Sequence, residues 1–232
     1  MSRLTVSVVI PAFNEEQSLA TCLESLAAQT RLPDEIVVVD NNSTDATVEI
    51  AKQFERYGVR VVHERRQGIG YTRTRGFDTA KYDVIIRIDA DCIALRDYVE
   101  RIMNDFERHE DTDAVAAGLL VKEWLPTWPW LAEYVPYAMH TYHRLVFGGY
   151  ILYGNTMAIR HKFWIRIRDA VVARDDLINE DIQLSIICHR EGIVRRDKMA
   201  KVICEIKDGF RFKKALRYFI ADMKTALHRN EV

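Results

Sequence analysis

Short apolar runs alternate with segments of helical periodicity through the first part of the chain. The runs are rich in β-branched residues and occupy residues 5–10, 35–40, 59–64 and 83–88. Between the first two runs, Leu19, Leu23 and Leu26 recur at the spacing of one helix face. Strand-like runs that alternate with helical segments are typical of crossover units, so this region is predicted to form four strands of a largely parallel sheet with three intervening helices.

The second and third of these helices are predicted at about residues 44–57 and 69–80. In open parallel sheets, ligands bind beyond the carboxyl ends of the strands. The segments that follow the four strands are therefore the places to search for a site. They read PAFNEE at 11–16, DNNSTD at 40–45, ERRQG at 64–68 and DADC at 89–92.

The pattern loosens after Arg108, where strands are predicted at residues 113–121 and 153–160. A helix is then predicted to begin at Asn179, its N-cap, and to end just before Gly192.

Two further segments have a distinctive composition. Residues 124–147 are rich in aromatic residues and proline, and we interpret them as core and hinge, although stacking on sugar rings or contact with lipid is an alternative. Residues 210–228 have the pattern of a basic amphipathic helix. Such a helix packs on its own domain or lies on a membrane surface, and the sequence leaves both open.

Composition bounds the size and class of the protein. The chain has 232 residues, 48% apolar and 29% charged, which fits one large domain with an ample core. We predict a single domain of two abutting halves, residues 1–110 and 111–232. Residues 160–232 carry 17 Lys/Arg and 11 Asp/Glu, whereas the preceding residues carry 16 and 23. This division suits a metal in the front half and anions facing the back half, or simply solvated surface charge.

The cysteines and the apolar runs bear on the compartment. The four cysteines (Cys22, Cys92, Cys188 and Cys204) form no CxxC pair and follow no secretory signal, so neither a disulfide nor a zinc framework is expected. The default expectation is a cytoplasmic protein. No apolar run approaches the roughly 20 residues that span a bilayer, which leaves peripheral contact at the cytoplasmic face of a membrane open.

Asp89 and Asp91 stand two residues apart at the end of the fourth apolar run. If the strand persists, both side chains face the same way because strand side chains alternate. Two carboxylates on one side are suitable ligands for Mg²⁺ or Mn²⁺, with further positions left for water and phosphate oxygens. The alternative is that both carboxylates cap a helix beginning near Leu95.

Four ordered segments carry a resemblance to a known family. They read VVIPAFNEE, EIVVVDNNSTDAT, GIGYTRTRG and RIDADC. Their order and spacing resemble the nucleotide-sugar half of family 2 glycosyltransferases of the GT-A fold, over residues 6–110 and more weakly to about residue 195. The resemblance implies a Rossmann-like, mostly parallel sheet flanked by helices, a nucleotide-sugar donor that is most simply UDP-linked, and a divalent metal, Mn²⁺ or Mg²⁺.

Matched position by position, the resemblance also implies roles for particular residues. Asp91 would be the direct metal ligand, and Asp89 would contact the ribose or a metal-bound water. Asp40 would bind the base or ribose, or alternatively cap the following helix. The other residues implied in donor binding are Pro11, Ala12, Asn14, Glu15, Gly68 and Arg73.

The third segment departs from the family pattern. It has Thr72 and Thr74 where the family usually has Ala and Asn. This departure leaves the identity of the donor open.

The segment INEDIQLSIICHREG resembles the family's acidic motif at the start of a helix. Asp181 is implied as the base for the acceptor hydroxyl, with Glu180 as the alternative. Either carboxylate could instead only complement a helix N-terminus. In the preceding LYGNTMAIR, Gly154 would allow close approach and Asn155 would bind a sugar hydroxyl.

The sequence therefore predicts a metal-dependent glycosyltransferase that moves a sugar to a saccharide or lipid-linked acceptor, with inversion. No nucleic-acid partner is expected. Two alternatives come from other classes. One is a nucleotide-binding scaffold that has lost catalysis. The other is an Asp-nucleophile phosphatase, because an apolar strand before DxD is also that enzyme's signature; here, however, three strands precede the motif.

Overall fold

A computed structural model of the chain describes residues 3–122, 128–171 and 180–204. Its centre is one sheet of eight strands. The strands are β1 (Val6–Ala12), β2 (Glu35–Asp40), β3 (Val59–His63), β4 (Val84–Arg87), β5 (Cys92–Ala94), β6 (Ala114–Val121), β7 (Met157–Arg160) and β8 (Val194–Cys204).

Seven α-helices accompany these strands in the described part of the chain. They are α1 (Leu19–Ala27), α2 (Thr47–Gln53), α3 (Ile69–Thr79), α4 (Tyr98–Arg108), α5 (Pro129–Phe147), α6 (His161–Ile167) and α7 (Glu180–Glu191). Short 3₁₀ turns follow α2 at Glu55–Tyr57 and α6 at Arg168–Ala170.

The strand order is β3-β2-β1-β4-β7-β6-β8-β5. Strands β1 to β4 pair in parallel, whereas β7 runs antiparallel to both of its neighbours, β4 and β6. Strand β8 is parallel to β6, and β5 is antiparallel to β8. The predicted mostly parallel sheet flanked by helices is thus confirmed, with a parallel first part and a mixed second part.

Each face of the sheet has its own core. On one face, α1, α2 and α4 pack against alternate side chains of the strands, such as Val8, Ile10 and Val38. On the other face, α3, α6 and α7 pack against the intervening side chains, such as Val9 and Val39. Because both faces are covered, the central strands must be apolar on both sides, which explains their continuous apolar runs.

The strands and helices predicted in residues 5–88 are confirmed with small changes at their ends. The second helix is shorter than predicted, because its last residues form the 3₁₀ turn at Glu55–Tyr57. The strand predicted over residues 153–160 begins only at Met157. Asn179 and the predicted helix at 210–228 lie outside the described residues.

Two interpretations are wrong. Residues 129–147 of the aromatic segment form a helix in which Phe147 is buried, so the interpretation as core and hinge is wrong only for its exposed large side chains. These include Trp130, Tyr134, Tyr137 and Tyr142, each 46–64% exposed. The expectation of no disulfide is also wrong, since Cys92 and Cys204 are bonded.

The disulfide follows from the pairing of two short strands. Cys92 of β5 stands opposite Cys204 of β8, with their Cα atoms 4.4 Å apart. The two cysteines are 112 residues apart in the chain, so their spacing gives no hint of the pairing. Within the described residues, no helix is both long and apolar enough to cross a bilayer.

Candidate active site

The first part of the site lies at the carboxyl ends of β1 and β2. Pro11 and Ala12 end β1 and are buried, and Ala12 stands opposite Asp40 in the register. The chain then turns at Asn14, which has a φ of 55°. Its side-chain oxygen accepts a hydrogen bond from the Thr44 amide at 2.8 Å. The loops after β1 and β2 are therefore tied to each other.

Asp40 is a buried carboxylate, only 4% exposed, at the end of β2. One of its oxygens accepts a hydrogen bond from the Ser43 amide at 3.1 Å, and the other lies 3.1 Å from Nδ1 of His63. The His63 side chain is 62% exposed and stands at the end of β3. His63 was not singled out in the sequence. Its position beside Asp40 follows from the register between β2 and β3, which the sequence does not show.

Asn41 joins the loops after β2 and β3. Its amide nitrogen donates to the carbonyls of Glu64 and Arg66, each at 2.8 Å, and its oxygen accepts from the Gly68 amide at 2.8 Å. Gly68 has a φ of 139°, in the region that favours glycine, and it precedes α3. The predicted donor residues Asn14, Asp40 and Gly68 are thus gathered at one edge of the sheet, which we name the carboxyl edge.

Glu15 lies at the same edge. Its amide donates to the Thr47 hydroxyl at 2.7 Å, and its carboxylate accepts a hydrogen bond from the Ser18 hydroxyl. These contacts fix the loop that leads into α1.

Asp89 and Asp91 follow β4, which ends at Arg87, so both lie in the turn between β4 and β5 and not in a strand. The Asp89 side chain is 37% exposed, and its Oδ1 lies 3.3 Å from Nη2 of Arg87. Strand β4 pairs with β1 and β7 only over Val84–Arg87, where β7 begins opposite Arg87, whereas β1 continues to Ala12 beside β2 alone.

The residues present fit a hard divalent cation. Burial raises the pKa of the Cys22 thiol, and the charges of Asp91, Asp89 and Glu15 raise it further, so the electrostatic potential in this part of the fold is negative and favours a cation. No group of three or more protein ligands is already assembled in the described parts of the chain. Mg²⁺ and Mn²⁺ need only one or two carboxylates when substrate phosphates and water complete the shell.

Glu180 and Asp181 begin α7 and point back toward the carboxyl edge. Asp181 Oδ2 accepts a hydrogen bond from the Gly154 amide at 2.8 Å, and its Oδ1 lies 3.3 Å from Nη1 of Arg87. Burial raises the pKa of Asp181 to about 6 against the opposing charge of Arg87, and the charge of Glu180 adds to the rise. A carboxyl group with that pKa can accept a proton near neutral pH.

Arg73, which the resemblance implies in donor binding, lies in the interior of the protein. It is fully buried on α3, where its Nη1 lies 3.0 Å from Oε2 of Glu180. Helix α3 reaches this depth because Gly76 lies directly on Val9 of β1, where a Cβ would come within 2.3 Å. A direct contact of Arg73 with the donor therefore stays a prediction.

Asn155 follows Gly154 in the loop before β7. Its amide nitrogen lies 3.5 Å from the sulfur of Cys204, and its side-chain oxygen is buried without a hydrogen-bond partner among the described residues. Such an acceptor is suited to a ligand hydroxyl.

Arg87, which was not singled out in the sequence, connects Asp89 after β4 to the pair Glu180 and Asp181 at the start of α7. Its side chain is 3% exposed and contacts Asp89, Glu180 and Asp181. Burial by itself would lower the pKa of Arg87, but the three carboxylates outweigh it and raise the pKa, so the guanidinium stays charged. The available signal was a single charged residue inside the apolar run VIIRI.

Comparison with known proteins agrees with this architecture. The family described as Glycosyl transferase family 2 matches residues 7–171. The mannosyltransferase PcManGT from Pyrobaculum calidifontis, solved with GDP-Man and Mn²⁺, has a TM-score of 0.70 over 99% of this chain and 70% of that one, at 18% identity. The S. aureus TarS 1–349 structure with UDP-GlcNAc has a TM-score of 0.66 over 89% of this chain and 60% of that one, at 17% identity.

A curated relative is similar at the sequence level. The glucosyl-dolichyl phosphate glucuronosyltransferase of Haloferax volcanii is 31% identical to this chain over 130 residues, which are 54% of this chain and 41% of that protein. The chain spans less than half the length of the first curated relatives that it matches.

The eight-stranded sheet, with carboxylates collected at the ends of its parallel strands, defines a GT-A fold. The chain belongs to glycosyl transferase family 2.

Proposed function

We propose that the protein transfers a sugar from a nucleotide-sugar, most simply a UDP-sugar, to an acceptor hydroxyl with inversion at the anomeric carbon. One observation carries this proposal. The guanidinium of Arg87 lies 3.3 Å from both Asp89 and Asp181, so the carboxylate expected beside the donor and the carboxylate expected to act as base belong to one cluster. The two solved neighbours that hold nucleotide-sugars support the same class of donor.

The donor would lie along the carboxyl edge. Asp40 would accept hydrogen bonds from a base or ribose, and its position at the end of β2 beside the turn at Ser43 supports this role. The remaining donor contacts that we propose come from Pro11, Ala12, Asn14, Glu15, Gly68 and, less directly, Arg73 through its pair with Glu180.

A divalent metal would be held by Asp91, with Asp89 contacting the ribose or a metal-bound water. When bound, the metal supplies a positive charge that stabilises the departing nucleoside diphosphate. The negative potential that Asp89, Asp91 and Glu15 create at Cys22 supports this assignment.

Asp181 would accept the proton of the acceptor hydroxyl. As the hydroxyl oxygen forms its bond to the anomeric carbon, the bond from that carbon to the diphosphate breaks, and the proton passes to Asp181. The raised pKa of Asp181 suits this role, since a general base works best with a pKa near the working pH. Asn155 would bind a sugar hydroxyl through its side-chain oxygen, which has no hydrogen-bond partner in the part of the chain that the structure describes.

The acceptor is proposed to be a saccharide or a lipid-linked saccharide, reached at the cytoplasmic face of a membrane. The exposed aromatic side chains of α5 support peripheral contact, because Trp and Tyr favour membrane interfaces. The name of the Haloferax volcanii relative includes a dolichyl phosphate-linked sugar. Co-sedimentation with anionic vesicles tests the contact, and a protein that stays in the supernatant would contradict it.

The main test is incubation with a panel of UDP-, GDP- and other nucleotide-sugars and Mn²⁺, with nucleoside diphosphate release as the readout. We expect release from one donor class and little release after addition of EDTA. A protein that neither binds nor cleaves any donor would support the scaffold alternative. Stereochemistry of the product separately decides between inversion and retention.

A further inference from the structure

Arg87 is the one charged residue of β4, and its burial needs an explanation. A buried guanidinium is costly unless it is paired. Here Nη2 lies 3.3 Å from Asp89, and Nη1 lies 3.3 Å from both Glu180 and Asp181. The two ends of one planar group therefore contact carboxylates from two distant parts of the chain.

The neighbouring Gly154 is fitted to this guanidinium. A Cβ on Gly154 would lie 2.3 Å from Cζ and from Nη2 of Arg87, which is closer than real side chains approach. The backbone of the loop thus lies directly on the guanidinium. From this position the Gly154 amide donates to Asp181 at 2.8 Å, so Arg87 and Gly154 together hold both oxygens of that carboxylate.

We propose that Arg87 is a positioning residue, which fixes the base Asp181 relative to the donor-side Asp89, with Gly154 as its required partner. The inference rests on the proposed function, because it assigns Arg87 a role in the same reaction. Its two nitrogens act on different carboxylates, which a lysine cannot reproduce with one ammonium group.

Arg87→Lys is the first test, because it keeps the positive charge but removes the two guanidinium nitrogens that contact different carboxylates. A misplacement of the base of about 1 Å lowers kcat by about 100-fold, whereas KM for the donor changes by less than about threefold if Asp91 still holds the metal. Arg31→Lys is the matched control, since Arg31 is also buried and paired, with Glu107 at 2.9 Å, but lies away from the site. Wild-type kcat in Arg87→Lys would overturn the proposal.

Gly154→Ala tests the same contact from the other side. It should lower kcat to a similar extent with Arg87 intact, because the new methyl group displaces the guanidinium. The double variant with Arg87→Lys should be no worse than the more severe single variant, as expected for residues that act as a unit. Losses that multiply in the double variant would contradict a shared action. If Gly154→Ala does not fold, Arg87→Lys decides alone.

A readout that needs no substrate separates this inference from the proposed function. Loss of the guanidinium should weaken the hydrogen bond from the Gly154 amide to Asp181. Exchange of the Gly154 amide proton should therefore be at least about tenfold faster in Arg87→Lys, while the global melting temperature stays unchanged. Unchanged exchange would overturn the positioning role. A wild-type protein that releases no nucleoside diphosphate from any donor would overturn the proposed function. The exchange measurement would then still decide whether Arg87 positions Asp181.

Discussion

The donor side and the base side of the site are built in different ways. On the donor side, loops are joined by hydrogen bonds between residues 23–30 positions apart, such as Asn14 with Thr44 and Asn41 with Glu64. On the base side, ion pairs join residues about four times as distant, with 94 positions between Arg87 and Asp181 and 107 between Arg73 and Glu180. The donor side is thus local, and the base side depends on the packing of two helices against the sheet.

This difference has a consequence for function. Changes on the donor side should affect binding, because each loop is held by its own neighbours. Changes on the base side should affect turnover, because Asp181 depends on contacts from β4 and from the loop before β7. The following variants break or sharpen this contrast, beginning with the largest expected effect.

Asp181→Asn should lower kcat by about 1,000-fold, because the amide cannot accept the proton of the acceptor. Binding of the donor, measured by calorimetry, should change little. Asp169→Asn is the control, since the Asp169 side chain is 97% exposed. Retained turnover in Asp181→Asn would move the role of base to Glu180.

Asp91→Asn should weaken metal-dependent binding of a nucleoside diphosphate by about 100-fold, since a carboxylate ligand to the cation is lost. Calorimetry with and without Mn²⁺ measures the effect. Asp89→Asn should be milder for metal binding if Asp89 acts through water or ribose. Equal binding by wild type and Asp91→Asn would remove the metal assignment.

Reduction of the Cys92–Cys204 disulfide should lower the free energy of unfolding by about 2–4 kcal/mol, because the bond closes a long loop between the two halves of the chain. Urea unfolding with and without a reductant measures this difference. A variant with serine at both positions is the control and should be insensitive to the reductant. A wild-type protein equally insensitive would mean that the bond does not stabilise the fold.

The pH dependence of kcat should show an acidic limb. The raised pKa of Asp181 means that the group is protonated, and unable to act as base, below about pH 6. Turnover should therefore fall about tenfold for each pH unit below that value. A cation bound nearby favours the ionised form and moves the limb to lower pH. Residual activity of Asp181→Asn should lack this limb.

Asp40→Asn should weaken donor binding by about tenfold, the effect of one hydrogen bond to a charged group. The new amide also faces the Ser43 amide or His63, so a small loss of stability is expected as well. The value of kcat at saturating donor should be kept. A large loss of kcat with unchanged affinity would contradict the division between the two sides.

Much of the fold could be predicted from residues 5–88, because apolar runs and helical periodicity report directly on burial. The position of Asp40, Gly68, Asp89 and Asp91 at the carboxyl edge could be predicted for the same reason, since each ends or follows a strand whose end is visible in the pattern. The exposure of the helix at Pro129–Phe147 could not be predicted, because its aromatic residues have the same composition as a buried core.

The sequence by itself determined the parallel part of the sheet, the edge at which the carboxylates gather and the residues expected to hold a donor. Only the tertiary structure decided that Arg87 joins Asp89 to Asp181, that the group packed against Gly154 is the Arg87 guanidinium, and that Cys92 is bonded to Cys204. The physical reason is range. Burial and turn preferences act between near neighbours and leave periodic traces, whereas ion pairs and a disulfide between residues about 100 positions apart depend on strand order, which no local pattern records.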